Sequence, residues 1–541
     1  MSSSMSLHAE KKTTMFQNFQ LSLGLVGILI LIHYLVARVF RSRDAVRLWA
    51  KLETVGVPSD GIFPLTRAVI QSIASLQKNV HYGYNEICKT KNRPFALQTM
   101  WTGGAIVVLP PSQVFNILNK PDSEVTGFNA LLDTIQLPYM ISDREVYQNV
   151  IHFDVVRKKM TKRDIGSLAP TTAEEIDASL RESWGTSTEW KCLNGWDACG
   201  RIIAQATLRV LIGLPLSRDE ALLEQSRLYS NSLFAGNTII NCIPPFMRPL
   251  IGPLVALPTK FYQYRCQRIL TPFVQERIAS WKETGESDNM PNDFLHWLIP
   301  SCAEAGPGQL DASRIAMRLL ALNTMFIFAM GYVFAHCVFD LYSSPSTHEF
   351  VSDLEAECRK VWGDHHGFST KEAVECLHRI DSAVRESMRI SDVGVTNLPR
   401  DVVSEAVDIG HGVQVPRGVR MVFPTQPIHL DPEHYKNPLR YDAFRFLRDA
   451  QGVVQLGQQE KGDQSLTSVS PSFLAFGYGR HACPGRWFVA QTIKQALASV
   501  VLNYDVEMVG KAVRRKAFLN MMVPPTDAQI RIRRKPRQVI A

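Results

Sequence analysis

The stretch from Phe476 to Gly485 reads FGYGRHACPG, and the interpretation of the whole chain starts from it. It holds a single cysteine, Cys483, among three glycines, a proline, two basic side chains and two aromatic rings. Gly477 and Gly479 allow backbone conformations that are closed to other residues, and Pro484 suits the first turn of a helix. The stretch therefore predicts a constrained loop that places Cys483 at the N-terminus of the following helix.

Cys483 in this setting suits a metal ligand or a nucleophile. Unpaired N–H groups at a helix N-terminus favour an anion and lower the pKa of a thiol. Gly485 lets a bulky group approach, and Arg480 and His481 can pair with carboxylates on that group. A haem has both features, a flat face that carries iron and two propionates. The alternative is a buried structural cysteine, which is the commoner fate of a lone cysteine.

The stretch resembles the cysteine-loop signature of the cytochrome P450 superfamily, Phe-x-x-Gly-x-Arg/His-x-Cys-x-Gly. Every fixed position of that signature is matched here. The resemblance implies the cytochrome P450 fold, mainly α with a minor β part, and haem b with Cys483 as the axial ligand of the iron. It also implies cofactor-binding roles for the neighbours of the thiolate: Phe476, Gly479, Arg480, His481 and Gly485.

Two further segments carry the resemblance in the same chain order. Glu386 and Arg389 match the family's Glu-x-x-Arg pair, and at i and i+3 they share one helix face. Arg445, in YDAFRF (441–446), matches the arginine that joins this pair. Three buried charges are costly unless fully paired, so we expect the network to hold the fold of the cysteine loop. A solvated pair is the alternative for Glu-x-x-Arg alone. The stretch 429–446 is similar to filamentous-fungal microsomal members.

Other positive residues match the family less closely. Arg157, in Phe-x-x-x-Arg, and Arg400 occupy places where the family binds haem propionates, although the usual tryptophan is Phe153 here. A surface arginine is the alternative for both. A basic cluster resembles the face that docks an electron-donating reductase, and a plain solvated face is its alternative. The cluster consists of Lys158, Lys159, Lys162 and Arg163.

The segment from Asp311 to Tyr342 is apolar nearly all round, which predicts a helix through the centre of a large fold. A second membrane span is the alternative. Polar residues within the segment argue against that alternative, as does the lack of flanking charge asymmetry. These residues are Arg314, Arg318, Asn323 and His336.

The same helix departs from the family pattern. Its acid and threonine, which relay protons during dioxygen activation, align with Phe328 and Ala329. Thr324 lies five residues earlier, about 140° around the helix, and cannot readily substitute. The sequence therefore predicts an apolar pocket wall, with Phe326, Phe328, Ala329 and Met330 as candidates for substrate contact.

The N-terminus carries an apolar run, Leu21 to Ala37, that is long enough to cross a bilayer. Basic residues follow it and predict a cytoplasmic body on an endoplasmic reticulum membrane. We expect an anchor in residues 1–45, with its span at about 17–40, a hinge in 46–65 and a catalytic domain in 66–541. A cleaved signal peptide is the alternative, although no small-x-small cleavage site is evident.

Composition excludes several classes of protein. The chain has 541 residues, a net charge of +8 and no nucleic-acid-binding motif. Its ten cysteines form no Cys-x-x-Cys pair, so the spacing indicates neither a zinc site nor a disulfide framework. We expect strands near 105–111, helices over 172–235 and 371–390, and short strands over 391–425. A proline-rich run (243–258) is expected to interrupt the helices, and an amphipathic helix to reach about Leu502.

The resemblance implies a monooxygenase that oxidises a lipophilic small molecule, with a terpenoid-type intermediate of fungal secondary metabolism as the expected substrate. Electrons would come from NADPH through a separate reductase, with dioxygen as co-substrate. A haem-thiolate isomerase or dehydratase is the alternative, because the acid–threonine pair is absent. A non-catalytic haem-binding protein is a third interpretation.

Overall fold

The computed structural model describes residues 43–284, 291–447, 464–510, 513 and 515–536. The described chain is mainly helical with a smaller β part, which confirms the predicted class. The predicted membrane span at 17–40 lies outside the described residues.

The helices are numbered here in chain order. They are α1 (Arg43–Lys51), α2 (Pro64–Gly83), α3 (Val114–Leu118), α4 (Phe128–Ile135), α5 (Leu137–Met140), α6 (Arg144–Gln148), α7 (Ile151–Lys159), α8 (Ala169–Ser179), α9 (Gly195–Ile212), α10 (Glu220–Asn241), α11 (Arg248–Val255), α12 (Leu257–Thr284), α13 (Phe294–Glu304), α14 (Ala312–Ser343), α15 (Thr347–His365), α16 (Lys371–Glu375), α17 (His378–Ile390), α18 (Thr425–His429) and α19 (Arg486–Asn503).

The strands form one larger sheet and three small ones. The larger sheet has the order β1-β2-β3-β9-β6-β4, and β10-β13-β5, β11-β12 and β7-β8 form the others. The strands are β1 (Glu53–Val55), β2 (Phe95–Thr99), β3 (Gly104–Val108), β4 (Val125–Thr126), β5 (Lys191–Asn194), β6 (Asn397–Val402), β7 (Ala406–Asp408), β8 (Gln414–Pro416), β9 (Arg420–Phe423), β10 (Tyr504–Val509), β11 (Ala517–Phe518), β12 (Met521–Met522) and β13 (Gln529–Arg534).

The segment 46–65, which the sequence predicted as a hinge, contributes regular structure to the body. It holds most of α1 and the whole of β1, and β1 pairs in parallel with β2 through Glu53 and Phe95. The body therefore begins before residue 66, because β1 extends its larger sheet.

Helix α14 runs through the core, as the sequence predicted. It packs against α9, α10, α12 and α17. It is long and apolar enough to span a membrane, but 78% of its most apolar window is buried inside the protein. Arg318 is buried within it and donates to the Gln309 side chain at 2.6 Å and to the Asn149 carbonyl. These protein acceptors explain how a charge is accommodated in a core helix.

Several local predictions need correction. The proline-rich run interrupts the helices between Asn241 and Arg248, as predicted, but it also contains the short helix α11, with Pro253 inside it, which was not predicted. Residues 371–390 form two helices rather than one. Strand β5 was missed, since its residues pair only with the distant β13. Helix α19 is buried on nearly every side rather than amphipathic.

Candidate functional site

The cysteine loop is closed by backbone hydrogen bonds. The N–H of Cys483 donates to the Phe476 carbonyl at 2.7 Å. Gly477 and Gly479 have φ of +79° and +66°, the left-handed region that favours glycine. Helix α19 begins at Arg486, so Cys483 precedes it by three residues and Pro484 lies outside its first turn, which corrects the predicted helix start.

The thiol of Cys483 is held among backbone N–H groups. Burial raises the pKa of the thiol, whereas the N–H groups of Gly485 and Arg486 and the charge of Arg486 lower it. The residue nevertheless keeps part of its surface accessible. A thiolate here would receive N–H donors from the start of α19, but it needs a further positive charge to offset its desolvation.

Glu386, Arg389 and Arg445 lie together, fully or almost fully buried. Arg389 Nε and Nη2 lie 2.7 and 2.8 Å from the two carboxylate oxygens of Glu386. Arg445 Nε lies 2.9 Å from Glu386 Oε2, and its other nitrogens donate to the Lys436 and Arg440 carbonyls. Every member of the network therefore has hydrogen-bonding partners, the condition under which buried charges are tolerated.

Positive side chains converge on the side of the loop that faces β6. Arg400 is 5% exposed, and its one hydrogen-bond acceptor among the described residues is the adjacent Pro399 carbonyl at 2.9 Å. His481 Nε2 lies 2.9 Å from Asp122 Oδ1. Burial, Arg400 and Arg157 lower the pKa of His481, and Asp122 opposes them. Arg400 is therefore a buried cation that no carboxylate of the described residues accepts from directly.

Arg157 and Arg480 lie at the edge of this cluster. Arg157 is 58% exposed and pairs with Asp154 at 2.9 Å, one turn earlier on α7. Arg480 is exposed. Both can therefore reach solvent, unlike Arg400.

The middle of α14 provides an apolar wall. From 315 to 342 the helix is buried except at Met325, Phe328 and Ala329, which share one face. Phe328 stacks on Phe234 of α10 with ring centroids 3.5 Å apart. Phe234 therefore borders the open face of α14.

Two of the predicted wall residues do not belong to that open face. Met330 is fully buried in the core, because one further residue turns the side chain about 100° away from Ala329. Phe326 packs on Phe488, with centroids 5.3 Å apart, and lies beside Gly485. Thr324 is buried, and its hydroxyl has no hydrogen-bond partner among the described residues.

Comparisons with known proteins identify the family. The model of the family "Cytochrome P450" matches residues 201–532. Cytochrome P450 monooxygenase gloP of Glarea lozoyensis is 32% identical over 94% of this chain and 95% of its own length. Cytochrome P450 monooxygenase htyF of Aspergillus rugulosus is 32% identical over 92% of this chain and 74% of its own. Cytochrome P450 monooxygenase okaG of Penicillium ochrochloron is 29% identical over 87% of this chain and 91% of its own length.

The chain belongs to the cytochrome P450 family. It is an oxidoreductase of the monooxygenase type, and the family carries haem iron. The matched range includes Cys483, the three-residue charge network and Arg400, but it begins after Arg157.

The residues present fit the haem of a cytochrome P450. Arg400 is a buried guanidinium with a single acceptor among the described residues, so a carboxylate beside it would complete its hydrogen bonding. All ten cysteines are free, and the described residues contain no other cluster of three or more potential metal ligands. Cys483, a residue that keeps part of its surface accessible, thus provides a suitable sulfur ligand for iron.

The basic cluster of this cytochrome P450 lies on the proximal surface near α19. Lys158, Lys159 and Lys162 are exposed, and Arg163 is 89% exposed. Lys162 Nζ lies 5.7 Å from the ring of Trp487, which is four residues after Cys483. The cluster is therefore both accessible and close to the cysteine loop.

Sequence reasoning missed several residues of the site. Met325 could have been found from the helical spacing of the wall, since it lies three and four residues before Phe328 and Ala329. Phe234 and Asp122 carry no local signal, because each meets the site only through the tertiary fold.

Proposed function

We propose that this chain is a membrane-anchored haem-thiolate monooxygenase that oxidises a lipophilic small molecule of terpenoid type in fungal secondary metabolism. The sulfur of Cys483 would hold the haem iron. The observation that carries the proposal is the position of the Cys483 thiol before the head of α19, beside the N–H groups of Gly485 and Arg486. When bound, haem supplies the redox chemistry that activates dioxygen, and a thiolate ligand favours O–O cleavage.

The residues around Cys483 hold and orient the cofactor. Phe476 and Gly479 shape the loop, and Gly485 leaves room at the head of α19. Arg400 and His481 are the inner partners of the propionates, and Arg157 and Arg480 are the outer, solvent-accessible ones. The network of Glu386, Arg389 and Arg445 keeps the loop in place.

The wall formed by Met325, Phe328 and Ala329 binds the substrate and excludes water. It has neither a carboxylate nor a hydroxyl that could carry a proton. A hydroxyl of the substrate, or an ordered water, must then deliver the proton that dioxygen activation needs. We favour the substrate hydroxyl, because a pocket shaped around a hydroxylated scaffold places that group itself.

Electrons come from NADPH through a separate flavoprotein reductase. The exposed lysines 158, 159 and 162 and Arg163 would meet an acidic surface of that partner, and opposite charge would speed the encounter. Residues 1–45 anchor the enzyme in the endoplasmic reticulum membrane with the catalytic body in the cytoplasm. The apolar run before the basic residues 38–51 supports this topology.

A haem-thiolate isomerase or dehydratase is the second candidate. Phe328 and Ala329 favour it specifically, since an enzyme that rearranges an already oxidised substrate needs no proton relay to dioxygen. The two candidates differ in their need for NADPH and dioxygen.

Turnover by the purified full-length protein tests the proposal. The enzyme is combined with reductase, NADPH and a panel of terpenoid intermediates under isotopically labelled dioxygen. We expect a product that carries one labelled oxygen and requires NADPH. Product formed without NADPH or dioxygen would favour the isomerase. A substrate-induced spin-state change of the haem would argue against a non-catalytic haem-binding protein.

A further inference from the structure

His429, at the end of α18, contacts both the charge network and the cysteine loop. Its side chain is fully buried. Its carbonyl accepts a hydrogen bond from Arg389 Nη1 at 2.6 Å. Its ring nitrogen Nε2 accepts one from the backbone N–H of Leu474 at 2.8 Å. His429 thus connects the charge network to the cysteine loop.

The partners of the ring fix its tautomer and orientation. A backbone N–H can only donate, so Nε2 carries no proton and the neutral ring has its proton on Nδ1. Nδ1 lies 3.0 Å from Asp392 Oδ2, a contact between the ring and a carboxylate that does not meet hydrogen-bond geometry. The ring also stacks on Phe473, with centroids 5.6 Å apart and planes 25° apart.

Backbone hydrogen bonds continue from Leu474 to the thiol-bearing residue. The Leu474 carbonyl accepts from the N–H of Gly477 at 2.9 Å. The Phe476 carbonyl accepts from the N–H of Cys483 at 2.7 Å. A shift of Leu474 would therefore be passed to the turn at 474–477 and from there to Cys483.

We propose that His429 is a positioning residue for the cysteine loop. By accepting the Leu474 N–H, it holds the start of the loop in register with the charge network and so keeps the sulfur of Cys483 where it binds iron. The inference rests on the proposed haem ligation by Cys483, and His429 acts through Leu474 without touching the cofactor. A buried histidine that contributes only to stability is the competing explanation, so the test needs a readout of ligation.

Three substitutions separate the hydrogen bond from the packing. His429→Phe keeps a ring against Phe473 but removes the acceptor. His429→Gln can place its amide oxygen near the position of Nε2 and restore the acceptor, whereas the shorter His429→Asn cannot reach it. His336→Phe is the matched control, because His336 is 2% exposed, packs against Tyr332 and has no hydrogen-bond partner among the described residues.

The full-length holoenzyme is examined by its ferrous–CO spectrum and by amide hydrogen exchange over residues 470–477. We expect the Phe and Asn variants to show a several-fold larger fraction of the blue-shifted band of haem that has lost its thiolate. The same two variants should lose exchange protection at 474. The Gln variant and the His336→Phe control should resemble the wild type in both measurements.

Equal behaviour of the Gln and Asn variants would overturn the inference, whether both are normal or both fail to fold. So would a His429→Phe variant that is less stable to heat but keeps the red-shifted band in full. The proposed function fails separately, if Cys483→Ala retains the red-shifted band whatever the His429 variants do.

Discussion

Two regions of the molecule differ in how their buried polar groups are paired: the charge network beside the cysteine loop, called the proximal side, and helix α14, called the distal side. On the proximal side, the carboxylate of Glu386 contacts two guanidinium groups, and the ring of His429 accepts a backbone N–H. On the distal side, Asn323, Thr324 and His336 of α14 are buried with side-chain atoms that lack hydrogen-bond partners among the described residues. The three charged side chains of the network are paired with one another, whereas α14 is an apolar helix with isolated buried polar groups.

This difference separates two requirements of the enzyme. Holding a thiolate at iron needs a loop whose backbone is fixed within a few tenths of an ångström, and satisfied buried networks supply such rigidity. Binding a lipophilic substrate needs apolar area, which the face with Phe328 and Ala329 provides. Because this face is apolar, it has no side chain that could carry a proton to dioxygen.

Removal of the carboxylate at the centre of the proximal network should have the largest effect on stability. Glu386→Ala leaves Arg389 and Arg445 buried without their carboxylate, which costs about 3–5 kcal/mol. We expect little haem-loaded protein. Asp44→Ala is the matched control, since Asp44 and Arg47 have the same i, i+3 spacing but are exposed. Normal haem content and melting temperature in Glu386→Ala would contradict the account.

The buried side chain of His336 should affect how the free energy of unfolding depends on pH. Burial lowers the pKa of His336 to about 4, with Asp340 opposing and Arg515 assisting. The unfolded chain then binds a proton near pH 6.5 that the folded chain does not bind, so stability falls as the pH drops from about 6.5 towards 4. Between pH 7 and 5, the free energy of unfolding should fall by about 2 kcal/mol less in His336→Phe than in the wild type. Equal losses in denaturant unfolding would show that His336 is protonated or paired.

The positive cluster should show a graded effect on haem retention. Arg400→Met removes the buried partner, and we expect haem transfer to apomyoglobin to be about tenfold faster, which corresponds to about 1.4 kcal/mol. Arg157→Met should have a smaller effect, because Arg157 is exposed and already paired with Asp154. The reverse order would make Arg157 the principal propionate partner.

Substitutions at Ala329, in the apolar wall of α14, should have the smallest effect of the four. Ala329 faces open space, so Ala329→Thr adds a hydroxyl without overpacking, and Ala329→Val is its isosteric control. If the substrate supplies the proton, both variants should keep the product formed per NADPH close to the wild-type value. A substrate analogue that lacks the nearest hydroxyl should release more hydrogen peroxide. Improved coupling in the Thr variant alone, or equal coupling for the two substrates, would rule out assistance by the substrate.

The sequence predicted the features that depend on local spacing. The Cys483 loop, the helix α14 and the pair Glu386–Arg389 are each contained in one segment, so their geometry follows from short-range rules. The contacts of Arg400 with Gly127 and of His429 with Leu474 join segments that are far apart in the chain. Such contacts depend on tertiary packing, which leaves no periodic signal in a single sequence.

Local signals also misled where tertiary structure outweighs propensity. Five prolines in the run 243–258 indicated a break, which occurs between α10 and α11, yet α11 itself forms within the run and packs beside α10 and α12. Helix α19 alternates apolar and polar residues but is enclosed by α8, α15 and α17, so its polar side chains are buried. Gln495, for example, donates to the Ala169 and Phe368 carbonyls at 2.9 and 2.7 Å.

The ferrous–CO spectrum of Cys483→Ala tests the central claim most directly. Cys266→Ala is the control, because Cys266 is a buried cysteine of α12 outside the cysteine loop. The account predicts that the red-shifted thiolate band is lost in the Cys483 variant and kept in the Cys266 variant. Survival of that band after removal of the Cys483 sulfur would contradict the assignment of the haem ligand.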